Sequence, residues 1–145
     1  MFENTNVSAL FTHVSTLVSI GYVPTIKRDT HAYSQDCNRH CTTMSLIHPI
    51  LPTIIITAYD LESRYNEPVT PFTSYTLDTL PTPYEYDSIY IEAYAKRKPN
   101  KPIFSAHANL ATMVHECRDM EALMWSFKNL IADFRGDLAI YSVTA

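Results

Sequence analysis

The sequence predicts an α+β fold: an antiparallel or mixed β-sheet with N-terminal and C-terminal amphipathic helices packed on one face. Apolar residues recur at helical spacing in two separate stretches, at about residues 6–20 and 119–134. Between these stretches, residues 53–59 form a β-branched run, and residues 85–97 alternate strictly between two kinds of side chain. Strand patterns enclosed by helical patterns are typical of the α+β class.

The composition bounds the size of the protein and excludes two kinds of nucleotide site. A chain of 145 residues with 46% hydrophobic residues can fill one core, so we expect residues 1–145 to form a single domain. The net charge of −4 argues against a general duplex-DNA binder, which needs a basic surface. Only 2 glycines are present, and neither GxGxxG nor GxxxxGKS/T occurs. Nucleotide binding through either glycine-rich loop is therefore excluded.

The sequence favours a cytoplasmic location. No apolar run approaches the ~18 residues of a membrane span, so we expect no membrane partner. The first residues lack the basic start and apolar stretch of a signal peptide. Three cysteines, an odd count, suit a reducing compartment better than a disulfide scaffold. We therefore expect an intracellular protein, acting in its own cell or in a host cell reached by a virus or plasmid.

The first predicted element is a helix at about residues 6–20. Asn4 and Asn6 are candidate N-cap residues, and Gly21 provides the stop. Residues 22–28 follow as a short strand, which Pro24 restricts to an edge of the sheet. The apolar residues that share one face of the helix are Val7, Leu10, Phe11, Val14, Leu17 and Val18.

Residues 29–52 give two conflicting signals. Thr42 and Thr43 favour a strand. A roughly helical period is kept by Cys37, Cys41, Met44 and Ile47. Residues 53–59 then read as a strand buried on both faces. At about residues 60–84, prolines among threonine, serine and acidic residues predict a long irregular loop.

Residues 85–97 are predicted to form a strand with two distinct faces. Small apolar side chains on one face suit close contact with a helix, and tyrosines with interspersed charges occupy the other. A turn at residues 98–101 leads to a short partner strand at residues 102–106. The apolar face consists of Ile89, Ile91, Ala93 and Ala95, and the tyrosine-rich face of Tyr86, Ser88, Tyr90, Glu92, Tyr94 and Lys96.

The clearest single pattern is the helical stripe at residues 119–134, with Asp119 as its candidate N-cap and Gly136 as its stop. The same apolar phase begins at Ala106, so residues 106–135 form either one long helix or two helices that meet near Asp119. Helices of that length are rare in domains of this size, which favours two. Residues 138–144 then read as a closing strand of the sheet.

A cluster of potential metal ligands lies in the ambiguous segment. Zinc takes four cysteine or histidine side chains in a tetrahedron, but the spacing here matches no standard zinc finger. The competing interpretation is that Cys37 and Cys41 are small hydrophobic residues of the core. We therefore predict no cofactor, with structural zinc as the alternative. The candidate ligands are His31, Cys37, Cys41 and His48, with His40 beside them.

Cys37 also supports an alternative prediction, a cysteine- or zinc-dependent enzyme. Gln35 and Asp36 precede it and would place the thiol near a helix N-terminus, a position that lowers thiol pKa values. His107 or His115 would arrive from later in the chain as the base. No local signature accompanies these residues. The sequence therefore favours a protein without catalytic residues.

Aromatic and basic side chains indicate a surface for a protein partner. The chain contains 10 tyrosines, and rigid rings with polar tips are favoured at interfaces. Trp125 lies off the apolar stripe of its helix, so it is either covered by a loop or left for a partner. The predicted partner-binding residues are Tyr86, Tyr90, Tyr94, Trp125, Lys96, Arg97, Lys98 and Lys101.

These features predict a small non-enzymatic protein-interaction module that binds another protein through a tyrosine-rich, mixed-charge surface. Its small size and lack of motifs favour an inhibitor, immunity or host-interaction protein of a mobile element such as a virus or plasmid. A further alternative is single-stranded nucleic-acid binding, with tyrosines stacking on bases and the basic cluster following the backbone. The net charge of −4 disfavours that alternative.

Overall fold

The computed structural model describes the backbone of residues 2–34, 37–60, 86–109 and 113–144, and the side chains of residues 10, 12–27, 41–59, 88–108 and 121–140. It confirms the α+β class, with an antiparallel sheet and two helices. The elements in chain order are helix α1 (Phe2–Ser19), strands β1 (Val23–Ser34), β2 (Cys37–Ile47), β3 (Thr53–Asp60), β4 (Tyr86–Tyr94) and β5 (Pro102–Asn109), and helix α2 (Met113–Thr144).

The sheet is a meander in which each strand pairs with its neighbours in sequence. The order is β1-β2-β3-β4-β5, and every adjacent pair is antiparallel. The β1–β2, β2–β3 and β4–β5 connections are short, as antiparallel neighbours allow. Strand β1 lies at an edge of the sheet, as Pro24 predicted.

Strand β2 resolves the conflict in residues 29–52. Thr42, Met44 and Leu46 are buried, whereas Thr43 and Ser45 are half-buried, which is the period of two that a strand imposes. Residues 41–46 of the strand pair with both β1 and β3, so their backbone groups find partners on both sides. The helical spacing of the cysteines therefore does not correspond to a helix.

Strand β3 is buried on one face only, so the prediction of burial on both faces is wrong. Ile54 and Ile56 are in the core, whereas Ile55 and Thr57 are half-buried. Strand β4 has the two faces predicted for it, with its small apolar side chains buried and Tyr90 half-buried. One face of the central strands thus remains partly accessible.

One hydrophobic cluster joins residues of both helices to the sheet. From α1 it takes Val14 and Leu17, both with no exposed surface. Burying each large apolar side chain contributes roughly 1.5–3 kcal/mol, so this cluster dominates the stability of the fold. Its members from the strands are Ile26, Met44, Leu46, Ile54, Ile56, Ala58, Ile89, Ile91, Ala93 and Ala108, and those from α2 are Leu123, Met124, Phe127, Leu130, Ile131 and Phe134.

Helix α1 ends in a Schellman motif, which confirms Gly21 as its stop. Gly21 N–H donates to Val18 O (3.1 Å), and Tyr22 N–H donates to Leu17 O (3.1 Å). Gly21 has φ of 113°, a conformation that other residues rarely adopt. Tyr22 and Leu17 are both buried, as expected for the two positions that usually form a hydrophobic contact in this motif.

Helix α2 is a single helix of 32 residues, and it corrects several predictions. Asp119 is inside it and does not cap it, and Gly136 does not end it. The strand predicted at residues 138–144 is wrong, because those residues continue the helix. Leu138 packs against the core one turn after Phe134, and this burial offsets the roughly 1 kcal/mol that a glycine costs inside a helix. Residues 106–109 belong to β5 rather than to a helix.

Three predictions are tested only in part or not at all by the described residues. Asp60, the start of the predicted loop, is the last residue of β3, and residues 61–85 are outside the described residues. That the chain forms a single domain stays a prediction. The apolar stripe of α1 is described only from Leu10 on, and within that part Val18 is exposed rather than buried.

Candidate functional site

Strands β3, β4 and β5 place three rings side by side on the accessible sheet face. Tyr90 is directly opposite Thr57 on β3 and His107 on β5. Its ring stacks on that of His107 (5.2 Å between centroids, 16° between planes) and meets that of Tyr59 edge-on (5.7 Å, 89°). Both geometries are favoured for aromatic pairs. We call Tyr59, Tyr90 and His107 the aromatic row.

The aromatic row keeps part of its surface open. Tyr59 and Tyr90 are half-buried, and His107 is exposed. Sequence reasoning found Tyr90 through the alternation of its strand, but it missed Tyr59 and considered His107 only as a base. The signal for both was the strand register, which depends on pairing between segments distant in sequence.

Tyr94 extends this surface toward the β4–β5 turn. Its hydroxyl donates to Glu92 Oε2 (2.8 Å). That hydrogen bond is the main reason that the pKa of Tyr94 is raised, with burial and the charge of Glu92 contributing less. The raised pKa keeps the Tyr94 hydroxyl protonated, so the side chain stays neutral. It lines a recess of about 620 Å³ together with Thr53, Ile55, Ala95, Lys96, Pro99 and Asn100.

The predicted basic cluster occupies the connection between β4 and β5, and all of its residues are exposed. Two backbone hydrogen bonds shape the connection, Lys98 N–H to Ala95 O (3.2 Å) and Lys101 N–H to Lys98 O (3.5 Å). Four cations within six positions form a local positive surface on a chain whose net charge is −4. We call Lys96, Arg97, Lys98 and Lys101 the basic turn.

A cleft of about 580 Å³ lies between the basic turn, the β2–β3 connection and helix α2. Two exposed isoleucines line it from different elements, Ile50 and Ile140. We call it the α2 cleft, and its complete lining is Ile50, Leu51, Pro52, Ala95, Lys96, Arg97, Asp137 and Ile140.

Trp125 comes from a different element than the tyrosines of β4. It lies on α2, twelve residues before Asp137 of the α2 cleft, which corresponds to about 18 Å along the helix. Its side chain is 70% exposed. Tyr86 pairs with Asp60 through the backbone, but its side chain lies outside the described residues. The predicted partner-binding residues are thus supplied by β4, the β4–β5 connection and α2, and that they form one binding surface stays a prediction.

His48 is a structural residue at the corner where α1, β2 and β3 meet. Its Nδ1 accepts from Ile50 N–H (3.0 Å) and Leu51 N–H (3.1 Å), so Nε2 carries the proton and donates to Ile20 O (2.9 Å). This tautomer is assigned from those partners. The side chain is 4% exposed, and all its polar atoms have backbone partners.

Gly21 and Tyr22 complete the same corner. A Cβ at Gly21 would lie 2.9 Å from His48 Nε2, so only glycine fits there. The Tyr22 ring meets His48 at 5.0 Å, and its hydroxyl donates to Pro52 O (2.7 Å). Burial raises the pKa of Tyr22. We call Gly21, Tyr22 and His48 the His48 corner.

The predicted zinc ligands do not converge on one point. Cys37 and Ile47 are the two ends of β2, about 33 Å apart at about 3.3 Å per residue, and His48 follows Ile47. Cys41 is buried between Asp29 and Tyr59 of the neighbouring strands. His31 is opposite Arg39, and its side chain lies outside the described residues. Among the residues that are described, no three metal-ligating side chains cluster.

Strand pairing also separates the predicted nucleophile from its predicted base. His107 is opposite Tyr90, Tyr90 is opposite Thr57, and Thr57 is opposite Thr43 of β2, so His107 and Thr43 lie at the same level of the sheet. Cys37 lies six residues farther along β2, a separation of about 20 Å along the strand. His115 belongs to the first turn of α2, and its side chain lies outside the described residues.

Within the described part of the chain, neither helix is long and apolar enough to cross a membrane. Comparisons with protein-family models, curated proteins and solved structures give no match for this chain. The proposed function therefore rests on the side chains of the chain itself.

Proposed function

We propose that this protein is a non-enzymatic interaction module that binds another protein through the sheet face bearing the aromatic row. The observation that carries the proposal is the row itself, in which the half-buried Tyr90 ring contacts the half-buried Tyr59 ring on one side and the exposed His107 ring on the other. Aromatic rings are enriched at the centres of protein interfaces, because they bury large areas while losing little conformational freedom. Tyr94 and the basic turn extend the same surface at one end.

The proposal includes a fold detail: both helices cover the opposite face of the sheet. The core residues of both helices belong to one cluster with Ile54, Ile56 and Ile91, which alternate along their strands with Thr57 and Tyr90. An antiparallel sheet with one covered and one accessible face is a common arrangement. The accessible face is then available for a partner.

Charge distribution supports a protein partner with an acidic surface. The basic turn is a positive region on a protein of net charge −4, and such separation of charge steers association and orients partners. The biological role that we propose is that of an inhibitor, immunity or host-interaction protein of a virus or plasmid, which acts in the cytoplasm by covering part of its target. This role requires neither a cofactor nor a catalytic residue.

Affinity capture with matched variants tests the proposal. The wild-type protein and the Tyr90→Ala/Tyr94→Ala variant are used as baits in an extract of the cells that naturally contain the protein. We expect wild type to retain a specific partner and the double variant to retain at least about tenfold less, because interface aromatic residues carry most of the binding energy.

The Trp125→Ala variant is the matched control, since it also removes a large aromatic side chain but from α2 rather than from the sheet. It should capture the partner as wild type does. Thermal unfolding of all three baits checks that each is folded. Capture that depends on Trp125 and not on the tyrosines would overturn the proposal.

The stacked pair Tyr90–His107 supports a second candidate, single-stranded nucleic-acid binding. Rings beside a basic segment are the features that such proteins use, since bases stack on rings and phosphates contact lysines. A labelled single-stranded oligonucleotide provides the test. Affinity that falls steeply with salt, and falls further in Lys98→Glu, would favour this candidate over a protein partner.

A further inference from the structure

We infer that the α2 cleft binds an acidic segment of a partner protein, with an apolar side chain between Ile50 and Ile140 and a carboxylate at Lys96 and Arg97. The inference rests on the proposed function, because it names the chemistry of the segment that a partner would present. It goes beyond that function by assigning a second site, which shares Ala95 and Lys96 with the recess of Tyr94 but is lined by neither Tyr90 nor Tyr94.

The apolar part of the cleft comes from two exposed isoleucines. Ile50 is 47% exposed and Ile140 is 63% exposed, and they line the same cavity from the β2–β3 connection and from α2. Leu51 and Pro52 form the adjacent wall. The volume of about 580 Å³ is within the range of ligand-binding pockets. An apolar side chain placed there would remove both isoleucines from water.

The charged part of the cleft selects the kind of segment. Lys96 and Arg97 are exposed on one wall, and the rest of the basic turn is directly adjacent. Asp137 is the acidic residue of the lining, so cations exceed anions. An arginine binds a carboxylate through two parallel hydrogen bonds, which adds orientation to attraction. A segment that combines an apolar residue with glutamate or aspartate therefore fits the lining better than a neutral one.

The wall formed by the β2–β3 connection is fixed before anything binds. Leu51 N–H and Ile50 N–H both donate to the buried His48 ring, and Pro52 O accepts from Tyr22. Binding to a preformed wall loses little conformational entropy, which favours affinity. The His48 corner thus holds one side of the α2 cleft in place.

Nuclear magnetic resonance of the isoleucine methyl groups tests the inference on the full chain. The probe is an acetylated and amidated pentapeptide with a leucine between two glutamates. We expect saturable shifts of the Ile50 and Ile140 signals. Ile103 is the internal control, because it is also exposed but lies on β5 outside the cleft lining. Shifts of all three signals alike, or none, would overturn the inference.

Two matched comparisons distinguish recognition of charge from non-specific binding. A peptide with glutamine in place of glutamate should bind about tenfold more weakly, as expected for the loss of a close charge pair. Arg97→Gln should also weaken binding of the acidic peptide by about tenfold. Lys101→Gln, which is outside the lining, should change the affinity by less than about twofold. Equal affinities for both peptides, or equal shifts with acetate alone, would contradict the inference.

The outcome is distinguishable from that of the proposed function. Loss of partner capture by Tyr90→Ala/Tyr94→Ala tests the sheet face, and neither tyrosine lines the α2 cleft. If the tyrosine variant fails to capture the partner but the peptide does not bind, the inference is wrong and the proposed function stands. If the peptide binds but the tyrosine variant captures normally, the α2 cleft is a site and the sheet face is not.

Discussion

Among the described side chains, two tyrosine–histidine ring pairs use the same residue types in opposite ways. Tyr22 and His48 meet at 5.0 Å inside the protein, where their polar atoms are bonded to backbone groups. Tyr90 and His107 meet at 5.2 Å on the sheet, with His107 exposed. Residue type therefore does not separate a structural pair from a candidate binding pair. Burial and the partners of the polar atoms do.

The difference has a physical cause. A buried imidazole must satisfy both nitrogens, so His48 can occur only where a donor and an acceptor are already fixed by the backbone. An exposed ring is hydrated and has no such requirement, so His107 does not have to be matched to the fold. Substitutions in the first pair should therefore lower the free energy of unfolding, whereas substitutions in the second pair should mainly weaken partner binding.

The largest expected effect is that of Gly21→Ala. The substitution forces a side chain onto a φ of 113° and places Cβ 2.9 Å from His48 Nε2. We expect the free energy of unfolding to fall by about 2–4 kcal/mol, from backbone strain and a disturbed buried hydrogen bond. Urea denaturation of the variant and wild type measures the change.

Gly136→Ala is the matched control for that substitution. Gly136 is inside α2, and a Cβ there would meet no atom within 4 Å. Alanine should therefore raise the free energy of unfolding by about 0.5–1 kcal/mol, because glycine is a poor helix former. Similar destabilisation by both substitutions would contradict the roles assigned to the two glycines.

The next largest effect is the difference in stability between the His48→Ala and His107→Ala variants. Loss of the His48 ring leaves two backbone N–H groups and one carbonyl without their partner, so we expect a loss of about 3 kcal/mol. His107→Ala removes one exposed cross-strand contact, which is worth about 1 kcal/mol or less. Denaturation midpoints of both variants provide the measurement.

A third variant, His48→Asn, sharpens this comparison. The asparagine side-chain oxygen can accept from backbone N–H groups two and three residues ahead, as Nδ1 does, but it does not reach Ile20 O. It should therefore recover part of the stability lost in His48→Ala. If asparagine recovers nothing, the two Nδ1 hydrogen bonds are not the main contribution of His48.

The smallest expected effect is a pH dependence that comes from His13. Its ring contacts Phe127 edge-on (5.6 Å), and its pKa is lowered by burial first and by the charge of Lys128 second, with a hydrogen bond to the Met124 backbone opposing both. The folded protein therefore prefers the neutral ring. As the pH falls below about 6.5, the unfolded chain takes up the proton first, so stability decreases.

The His13→Gln variant isolates this contribution, since glutamine does not titrate. Denaturation midpoints at about pH 7.5 and about pH 5.5 bracket the ordinary histidine pKa. Wild type should lose more stability than the variant between these values. An equal loss in both proteins would show that other groups cause the pH dependence.

The sequence predicted the α+β class and most strands, because alternation and β-branched runs are local signals. Predictions from the sequence were wrong where contacts between residues distant in sequence decide the structure. Gly21 and Gly136 both read as helix stops, but only Gly21 is followed by a buried residue that closes a Schellman motif. After Gly136, Leu138 packs into the core and the helix continues.

The candidate site divides in the same way. Alternation along one strand was enough to place Tyr90 and Tyr94 on a common face, whereas the addition of Tyr59 and His107 required the pairing of three strands. The role of His48 depends on a bond to Ile20, 28 residues away in sequence. No local pattern encodes that contact, so the sequence offered His48 only as a candidate ligand in the alternative zinc site.

The central claim is that the aromatic row is the contact surface for a partner protein. The most direct test is the dissociation constant of the captured partner, measured by calorimetry for wild type, Tyr90→Ala and Trp125→Ala. We expect Tyr90→Ala to weaken binding by at least about tenfold and Trp125→Ala by less than about twofold. The reverse order, with Trp125→Ala the weaker binder, would contradict the claim and place the interface on α2.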